Sequence, residues 1–334
     1  MTIRERQEQD EQARLSPYAA LSSRSAGRAH PISVCDLRTC YQRDRDRIIH
    51  CKSFRRLKYK TQVFLTPMGD HYRTRLTHTL EVSQVARTLA RSLRLNEDLT
   101  EAAALGHDLG HTPFGHIGES TLNRLLPGGF RHNEQSLRVA ERLENDGAGL
   151  NLCRETLDGI LNHSGQTEPK TLEGWCVRRA DRIAYINHDI DDAIRGGILK
   201  PFELPRRCLS VLGETHGERI DTMIRDIVTT SADQPFVRMS AEVQQASDEL
   251  RAFLFEYVYH DEWRKKEEAR CDYILTALYE HYLAHPEQLP AEYLEINFTE
   301  GAERAVCDFI ACMTDRYAID QFSEIFVPGA FGRR

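Results

Sequence analysis

Residues 73–93 read RTRLTHTLEVSQVARTLARSL, and this stretch decides the fold class. Its apolar side chains recur at the three- and four-residue steps that place them on one face of an α-helix. These positions are Leu76, Leu80, Val85, Leu89 and Leu93. Strand-like alternation is scarce elsewhere, and TQVFL at 61–65 is its best example. We therefore predict an all-α helical bundle, with a small β-hairpin near 61–73 as the one candidate for β-structure.

Helical patterns continue on both sides of this stretch. LEGWCVRRADRIAYINHDIDDAI at 172–194 reads as one long helix before a Gly-Gly pair, and amphipathic segments follow it. The first residues are polar and predict a mobile tail over 1–17. Because no linker and no repeat is evident, we predict a single helical domain over 18–334. Its core spans about 40–200, and the later helices form a C-terminal appendage.

Composition limits the class of protein. The 334 residues carry a net charge of −7, which argues against a surface coated for nucleic acid, so single-stranded nucleic acid is not indicated as a partner. A basic excess over 38–60 nevertheless predicts a local anion site. The nine cysteines form no CxxC pair, which favours a reducing compartment. The sequence shows no signal-peptide pattern and no long apolar run, so we expect a cytoplasmic protein with no membrane partner.

Titratable side chains crowd the stretch EAAALGHDLGHTPFGHIGES at 101–120. His107 and Asp108 follow an alanine-rich helix, and an imidazole beside a carboxylate suits a divalent metal ion. Glycines in the stretch allow the backbone to approach a ligand closely. Further ligands must come from other segments, and His78 lies on the helix predicted from the opening stretch. The long helix offers more candidates on one stripe, and spacing alone does not choose among Asp181, His188, Asp189 and Asp192.

His116 and Glu119 lie three residues apart at a predicted helix start. At this spacing a carboxylate can hydrogen-bond one imidazole nitrogen and raise the basicity of the other. Such a pair acts in proton transfer and typically contributes about 10²–10⁴-fold in rate. We therefore predict a site in which this pair exchanges a proton with a reacting group that a nearby metal ion polarises.

Three motifs in this order, RLTHTLEV, GHDLGHTPFGHIGE and ADRIAYINHDIDD, resemble those of the HD superfamily of metal-dependent phosphohydrolases. Two more, RDRDRIIHCKSFRRLKYKTQVF at 43–64 and FRHNEQSLRV at 130–139, are similar to segments of the deoxynucleoside triphosphate triphosphohydrolases, the dGTPase-like proteins. The likeness implies an all-α HD-domain bundle that forms homo-oligomers, often hexamers. It also implies hydrolysis of 2′-deoxynucleoside 5′-triphosphates, dGTP among them, to deoxynucleoside and inorganic triphosphate.

The resemblance implies a role for each matched side chain of the reaction centre. It implies four metal ligands, a catalytic pair, and two histidines that face the α-phosphate of the substrate. The ligands are His78, His107, Asp108 and Asp181, the pair is His116 with Glu119, and the two histidines are His111 and His132. This donor set accepts Mg²⁺, Mn²⁺, Fe²⁺, Co²⁺ or Zn²⁺, so the sequence leaves the metal's identity open.

The resemblance also implies substrate contacts away from the metal. They are Arg75 on a phosphate, Tyr185 and Asp189 near the deoxyribose, and Gln62 on the 3′-hydroxyl. Further candidates for phosphate contact in the basic run are Arg55, Arg56, Lys58 and Lys60. Two alternatives stay open. One is a different HD-type phosphohydrolase acting on nucleoside monophosphates or cyclic nucleotides, and the other is a nucleotide- or nucleic-acid-binding protein with vestigial activity.

Overall fold

The computed structural model describes residues 1–62, 73–257 and 262–328. Within these ranges the chain forms sixteen α-helices and no strand, which confirms the predicted all-α fold. The helices are α1 Ile3–Arg14, α2 Cys40–His50, α3 Lys52–Arg56, α4 Arg75–Ser92, α5 Glu97–Gly106, α6 His116–Leu125, α7 His132–Arg138, α8 Arg154–Asn162, α9 Leu172–Arg195, α10 Arg206–Leu212, α11 His216–Ser231, α12 Ala241–Tyr257, α13 Glu262–Ala284, α14 Ala291–Glu300, α15 Ala302–Ala311 and α16 Asp315–Phe326.

The hairpin predicted near 61–73 falls mostly outside the described residues. What the structure shows at its two ends is an isolated antiparallel bridge between Thr61 and Thr74. Thr74 is also the N-cap of α4, where its hydroxyl accepts a hydrogen bond from the Thr77 amide. The bridge therefore joins the segment that follows α3 to the start of the helix that carries His78.

Helices α4, α5 and α9 pack together at the centre of the molecule. The buried face of α4 includes Val82, Val85 and Leu89, which share one apolar core with Ile183 and Ile186 of α9. The predicted apolar face of α4 is partly wrong, because Leu80 is 51% exposed. The buried stripe instead runs through His78, so α4 turns that imidazole toward α9 rather than toward solvent.

Residues 3–14, which the sequence assigns to a mobile tail, form helix α1. Thr2 and Glu5 close a capping box at its start, which supplies partners for amide groups that a helix otherwise leaves unpaired. The Arg4 amide donates to the Asp36 carbonyl at 2.9 Å, and the Glu11 carboxylate accepts from the Ser22 amide at 2.7 Å. These contacts hold the polar helix against the body of the protein although none of its side chains is buried.

The helices beyond residue 200 belong to two apolar cores. Helices α10, α11 and α12 contribute to the core that contains α4 and α9. Helices α13 to α16 form a second core, which also takes in Phe114, Leu122 and Phe130. Among the described residues, no helix is both long and apolar enough to cross a membrane. The first group thus shares a core with α4 and α9, and the second shares a core with the segment around Phe114, which carries His111 and His116.

Asp44 of α2 is fully buried and joins distant parts of the chain. Its carboxylate pairs with Arg28 and accepts from the Cys153 amide at 2.9 Å and the Thr156 hydroxyl at 2.7 Å. Removing one partner of a buried ion pair leaves the other charge uncompensated. We therefore expect Asp44→Ala to lower the free energy of unfolding by about 3–5 kcal/mol in urea titrations.

The control for this stability measurement is Asp46→Ala on the same helix. Asp46 pairs with Arg38 on the surface, where the Arg38 side chain is 50% exposed. Such exposed pairs contribute at most about 1 kcal/mol. Equal losses of unfolding free energy in the two variants would contradict the role given to Asp44.

Candidate active site

Four side chains from three helical segments converge at one point. His78 comes from α4, His107 and Asp108 from the residues that follow α5, and Asp181 from α9. The His78 Nε2 lies 3.1 Å from the Asp181 Oδ1, and the His107 Nε2 lies 3.7 Å from the same oxygen. The His107 Nε2 also lies 3.6 Å from the Asp108 Oδ1. The structure therefore brings together all four residues predicted as metal ligands.

The bonding of His107 leaves one ring nitrogen free to bind a cation. Its Nδ1 donates to the Ala104 carbonyl at 2.7 Å, so Nε2 is the ring nitrogen that can offer a lone pair. That Nε2 is buried and has no hydrogen-bond partner among the described residues. Ligand atoms of His78, His107 and Asp108 all lie within 4.8 Å of one another. Two imidazoles and two carboxylates in this arrangement fit a divalent metal ion.

Both carboxylates of the cluster are held in the anionic form. Burial raises the pKa of Asp108, but Arg75 and the neighbouring histidines outweigh it and hold that pKa well below its usual value. Burial likewise raises the pKa of Asp181, whereas the hydrogen bond from His78 and the adjacent His107 lower it further than burial raises it. Deprotonated carboxylates are the form that a metal ion requires.

The structure distinguishes among the candidate metal ligands on α9 that spacing alone does not tell apart. His188 places its Nδ1 3.4 Å from the His78 Nδ1 and its Nε2 3.2 Å from the Glu81 carboxylate. Asp192 pairs with Arg73 at 3.0 Å. Of the acids on this stripe, it is Asp181 that lies beside both His78 and His107.

A second group of side chains surrounds the Glu119 carboxylate. The His132 Nδ1 lies 2.9 Å from Glu119 Oε1, and the His132 amide donates to the same oxygen at 2.9 Å. The His116 Nδ1 lies 3.9 Å from Glu119 Oε2, which is beyond hydrogen-bonding distance. The geometry thus differs from the predicted pair, because the hydrogen bonds of Glu119 go to His132 while His116 stands half exposed beside it.

The pKa values of His132 and His111 are shifted in opposite directions. Burial lowers the pKa of His132, but the bonded Glu119 outweighs burial and raises it. Burial, followed by Arg75, lowers the pKa of His111 well below its usual value, so that ring is neutral. The His111 ring stacks on His132 with 4.9 Å between centroids, and its Nδ1 is buried without a hydrogen-bond partner among the described residues.

His163 is a member of the site that the sequence reasoning missed. Its Nε2 lies 3.2 Å from the His132 Nε2, and its ring centroid lies 4.9 Å from that of His107. Its Nδ1 donates to the Ile160 carbonyl at 2.6 Å, as the His107 Nδ1 does to Ala104. Burial, with the neighbouring histidines, lowers its pKa to about 3. In the sequence, His163 could have been recognised because it ends a helix and is followed by Ser-Gly, as His107 ends a helix and precedes a Gly-rich loop.

The predicted substrate residues lie at different distances from this centre. The Arg75 guanidinium is buried and donates to the Asp108 Oδ2 at 2.7 Å, so in the structure its partner is a carboxylate. Gln62 is buried next to it, and its side-chain Oε1 has no hydrogen-bond partner among the described residues. The Tyr185 ring lies 6.0 Å from that of His116, and Asp189 is buried one turn further along α9.

The cations of the basic run are placed elsewhere. Arg56 lines a separate cleft next to the C-terminal helices, together with Tyr293 and Tyr317. Arg55 donates to the His50 carbonyl at 2.9 Å, and Lys58 lies over the ring of the adjacent tyrosine. Lys60 is buried, and its ammonium donates to the His111 carbonyl and, at 2.8 Å, to the Ala311 carbonyl. Leu57, between Arg56 and Lys58, is fully buried in the core.

Comparison with known proteins assigns this fold and centre to a family. Residues 75–186 match the HD domain, and residues 237–324 match the phosphohydrolase-associated domain. A deoxyguanosinetriphosphate triphosphohydrolase-like protein of Caldanaerobacter subterraneus subsp. tengcongensis is 58% identical, with 98% of this chain and 97% of the relative covered. Proteins of the same name from Clostridium perfringens and Geobacter sulfurreducens are 50% and 42% identical, with at least 95% of each chain covered.

The match to the HD domain and the convergence of its histidines and aspartates define the class as an HD-type phosphohydrolase. The chain belongs, within that class, to the family of deoxyguanosinetriphosphate triphosphohydrolase-like proteins. It is therefore a hydrolase, and the resemblance seen in the sequence motifs is confirmed.

We expect Asp108→Ala to remove bound metal and to abolish hydrolysis, because it deletes an anionic ligand that Arg75 holds in place. The measurement is metal content per chain by mass spectrometry after purification in the presence of divalent ions. Asp46→Ala, which removes one carboxylate from the surface, is the matched control. Full metal content in Asp108→Ala would show that Asp108 is not a ligand.

We expect Glu119→Ala to keep its metal but to lower kcat by about a hundredfold or more, because Glu119 is the hydrogen-bond partner of His132 and lies beside His116. Glu134→Ala is the control, since Glu134 is an exposed acid in the first turn of α7. If Glu119 acted only through the helix dipole, both variants would lose a little stability and retain normal kcat.

Proposed function

We propose that this protein hydrolyses 2′-deoxynucleoside 5′-triphosphates, dGTP among them, to the deoxynucleoside and inorganic triphosphate. The observation that carries the proposal is the convergence of two histidines and two anionic carboxylates beside a histidine that is hydrogen-bonded to Glu119. The names of the related proteins support a nucleoside triphosphate substrate. The reaction breaks the bond between the α-phosphorus and the 5′-oxygen, and water supplies the new oxygen on phosphorus.

The residues that would hold a divalent cation are His78, His107, Asp108 and Asp181. When bound, a cation at this place polarises a phosphate oxygen and lowers the pKa of nearby water. Arg75 holds the Asp108 carboxylate anionic and oriented, and the Ala104 carbonyl keeps the lone pair of His107 pointed into the cluster. The protein thus presents a preformed set of donors whose charge suits a cation of either main-group or transition type.

The other half of the site handles protons and phosphate charge. Glu119 fixes the ring of His132 through Nδ1, and the opposite nitrogen, whose neighbour in the structure is the His163 Nε2 at 3.2 Å, is the one that would turn to a bound phosphate. His111 is neutral and can donate one N–H to an oxygen of the α-phosphate. His116 is half exposed next to Glu119, which suits delivery of a proton to the departing 5′-oxygen. We propose that His132, held by Glu119, acts toward phosphate, while the half-exposed His116 transfers the proton.

Three side chains support selection of a deoxyribose, and two of them, Gln62 and Asp189, are buried. The Gln62 Oε1 has no hydrogen-bond partner in the part of the chain that the structure describes, and the 3′-hydroxyl of a substrate would satisfy it, since burial makes an unsatisfied acceptor costly. Tyr185 lies next to His116, where a ring packed against C2′ would leave no room for a 2′-hydroxyl. Asp189, buried on the same helix, is the second residue proposed to act near the sugar.

The test is chromatography of the phosphate product with a panel of deoxy-, ribo- and 2′,3′-dideoxynucleoside triphosphates, singly and mixed, with Mg²⁺, Mn²⁺, Fe²⁺, Co²⁺ and Zn²⁺. We expect inorganic triphosphate from deoxynucleotides, and at least about a tenfold lower kcat/KM when the 3′-hydroxyl is absent, because Gln62 is then left unpaired. Release of orthophosphate or pyrophosphate would contradict the proposal. Turnover of monophosphates or cyclic nucleotides would favour another HD-type phosphohydrolase, and binding without turnover would favour a vestigial site.

We further propose that the protein works in the cytoplasm, which its free cysteines favour, and that it forms a homo-oligomer, as the sequence resemblance implies. Size-exclusion chromatography with light scattering, with and without deoxynucleotides, measures the number of chains per particle. A monomer under every condition would contradict the oligomer. The nucleotide panel also reveals whether one deoxynucleotide activates hydrolysis of another.

A further inference from the structure

The loop that carries His111 and His116 is bonded to helices far away in sequence. Asp315, the first residue of α16, is 8% exposed. Its Oδ1 accepts from the Phe114 amide at 3.0 Å, and its Oδ2 accepts from the Thr61 amide at 2.9 Å and the Thr61 hydroxyl at 2.7 Å. One carboxylate therefore fixes both the loop of the histidines and the segment that leads into Gln62.

The backbone of this loop is held in a conformation that it would not adopt alone. Phe114 has φ of 62° and Gly115 has φ of 60°. Such values strain a bulky residue such as phenylalanine, so surrounding contacts must enforce them. The ring of Phe114 supplies part of this enforcement, because it is buried in the core formed by α13 to α16. The His116 side chain follows two residues later, at the first position of α6.

Lys60 makes a second connection between the same elements. Its buried ammonium donates to the carbonyl of His111, on one side, and to that of Ala311, the last residue of α15, on the other. Burial lowers the pKa of Lys60 to about 8. Two carbonyl acceptors compensate a buried ammonium only while both stay in place, which makes this contact sensitive to movement.

A third connection reaches the helix of His132. Asp308 of α15 is fully buried and accepts from the Gln135 side chain at 2.8 Å and from Arg138 at 2.8 Å, both on α7. His132 is the first residue of α7. The loop that carries His111 and His116 is therefore hydrogen-bonded to Asp315 of α16 directly and to Ala311 of α15 through Lys60. The helix that begins at His132 is hydrogen-bonded to Asp308 of α15.

The cluster of His78, His107, Asp108 and Asp181 is built differently. Its side chains come from α4, α9 and the end of α5, three helices that pack on one another around the other apolar core. The site thus consists of a half that belongs to the central helices and a half that is fastened to the C-terminal helices. We call the three groups Lys60, Asp308 and Asp315 the C-terminal clasp.

We propose that Asp315 is a positioning residue for hydrolysis: through the C-terminal clasp, helices α15 and α16 set the place of the proton-transfer histidines. This inference rests on the function proposed above and deepens it. A displacement of about 1 Å in a catalytic group can cost about a hundredfold in rate, so the clasp controls kcat without touching substrate. The associated region at 237–324 thereby acquires a role in the reaction itself.

The simpler reading is that Asp315 only stabilises the start of α16. An acid in the first turn of a helix is favoured by the helix dipole wherever it lies. That reading predicts a lower melting temperature with kcat and KM unchanged. It does not explain why both carboxylate oxygens point at donors of other segments, 201 and 254 residues away in sequence.

The experiment compares Asp315→Asn with wild type and with Asp320→Asn. Asparagine keeps the volume but has one acceptor oxygen, so its amide must face either the Phe114 or the Thr61 donors. Asp320 lies on the same helix, and its pair with Arg316 is exposed at 3.7 Å. We expect Asp315→Asn to lower kcat for a deoxynucleoside triphosphate by about tenfold to a hundredfold, with KM changed less than about threefold and metal content equal to wild type. Asp320→Asn should match wild type in all three.

Thr61→Val is the second variant, which removes the Thr61 hydroxyl bond without altering Asp315. We expect a smaller fall in kcat, again with full metal content, and this variant decides the matter if Asp315→Asn does not fold. Wild-type kcat in both variants, or loss of metal together with activity, would overturn the role of the clasp. Failure of wild type to release triphosphate would instead overturn the proposed function, so the two failures are distinguishable.

Discussion

Burial of the Asp108 carboxylate is the constraint on which the rest of the structure depends. An ionised group removed from water is tolerated only when charges and donors surround it. Arg75, His78 and His107 provide that surrounding, and they come from the two helices whose ends meet at Asp108. The docking of α4 on α5 is thus dictated by charge as well as by apolar packing. Asp181 adds the second negative charge from α9, which makes the cluster receptive to a cation.

The site lies where two apolar cores meet. The core of α4 and α9 fixes the helices that carry His78 and Asp181, and the core of α13 to α16 fixes the Phe114 loop. Rigid support on both sides suits a reaction in which a phosphorus atom must lie close to a cation and to an imidazole at the same time.

Much of the fold could be predicted because α4 and α9 carry a strong helical period and clear termini. Leu80 shows the limit of that reasoning, since the period places it on the buried face whereas the true stripe passes through His78. Polarity alone also misled at α1, where capping and contacts to Asp36 and Ser22 replace an apolar face.

The candidate site could be predicted where neighbours in sequence are neighbours in space, as at His107 and Asp108. The choice of Asp181 came from the family motif, not from spacing. The Glu119 bond to His132, the place of His163 and the position of Arg56 depend on helices that meet only in the folded chain. No periodicity encodes such meetings. His163 was overlooked because its only signal was local, a histidine at the end of a helix.

The burial of Phe114 among the C-terminal helices has a consequence for how the chain is divided. Residues 75–186 match the HD domain as a unit of sequence, yet Phe114, Leu122 and Phe130 bury their side chains against residues beyond 270. Excised at those boundaries, the segment would display three large side chains to water, two of them aromatic, and the loop of His116 would lose its scaffold. The evolutionary module and the autonomous folding unit are therefore not the same stretch of polypeptide.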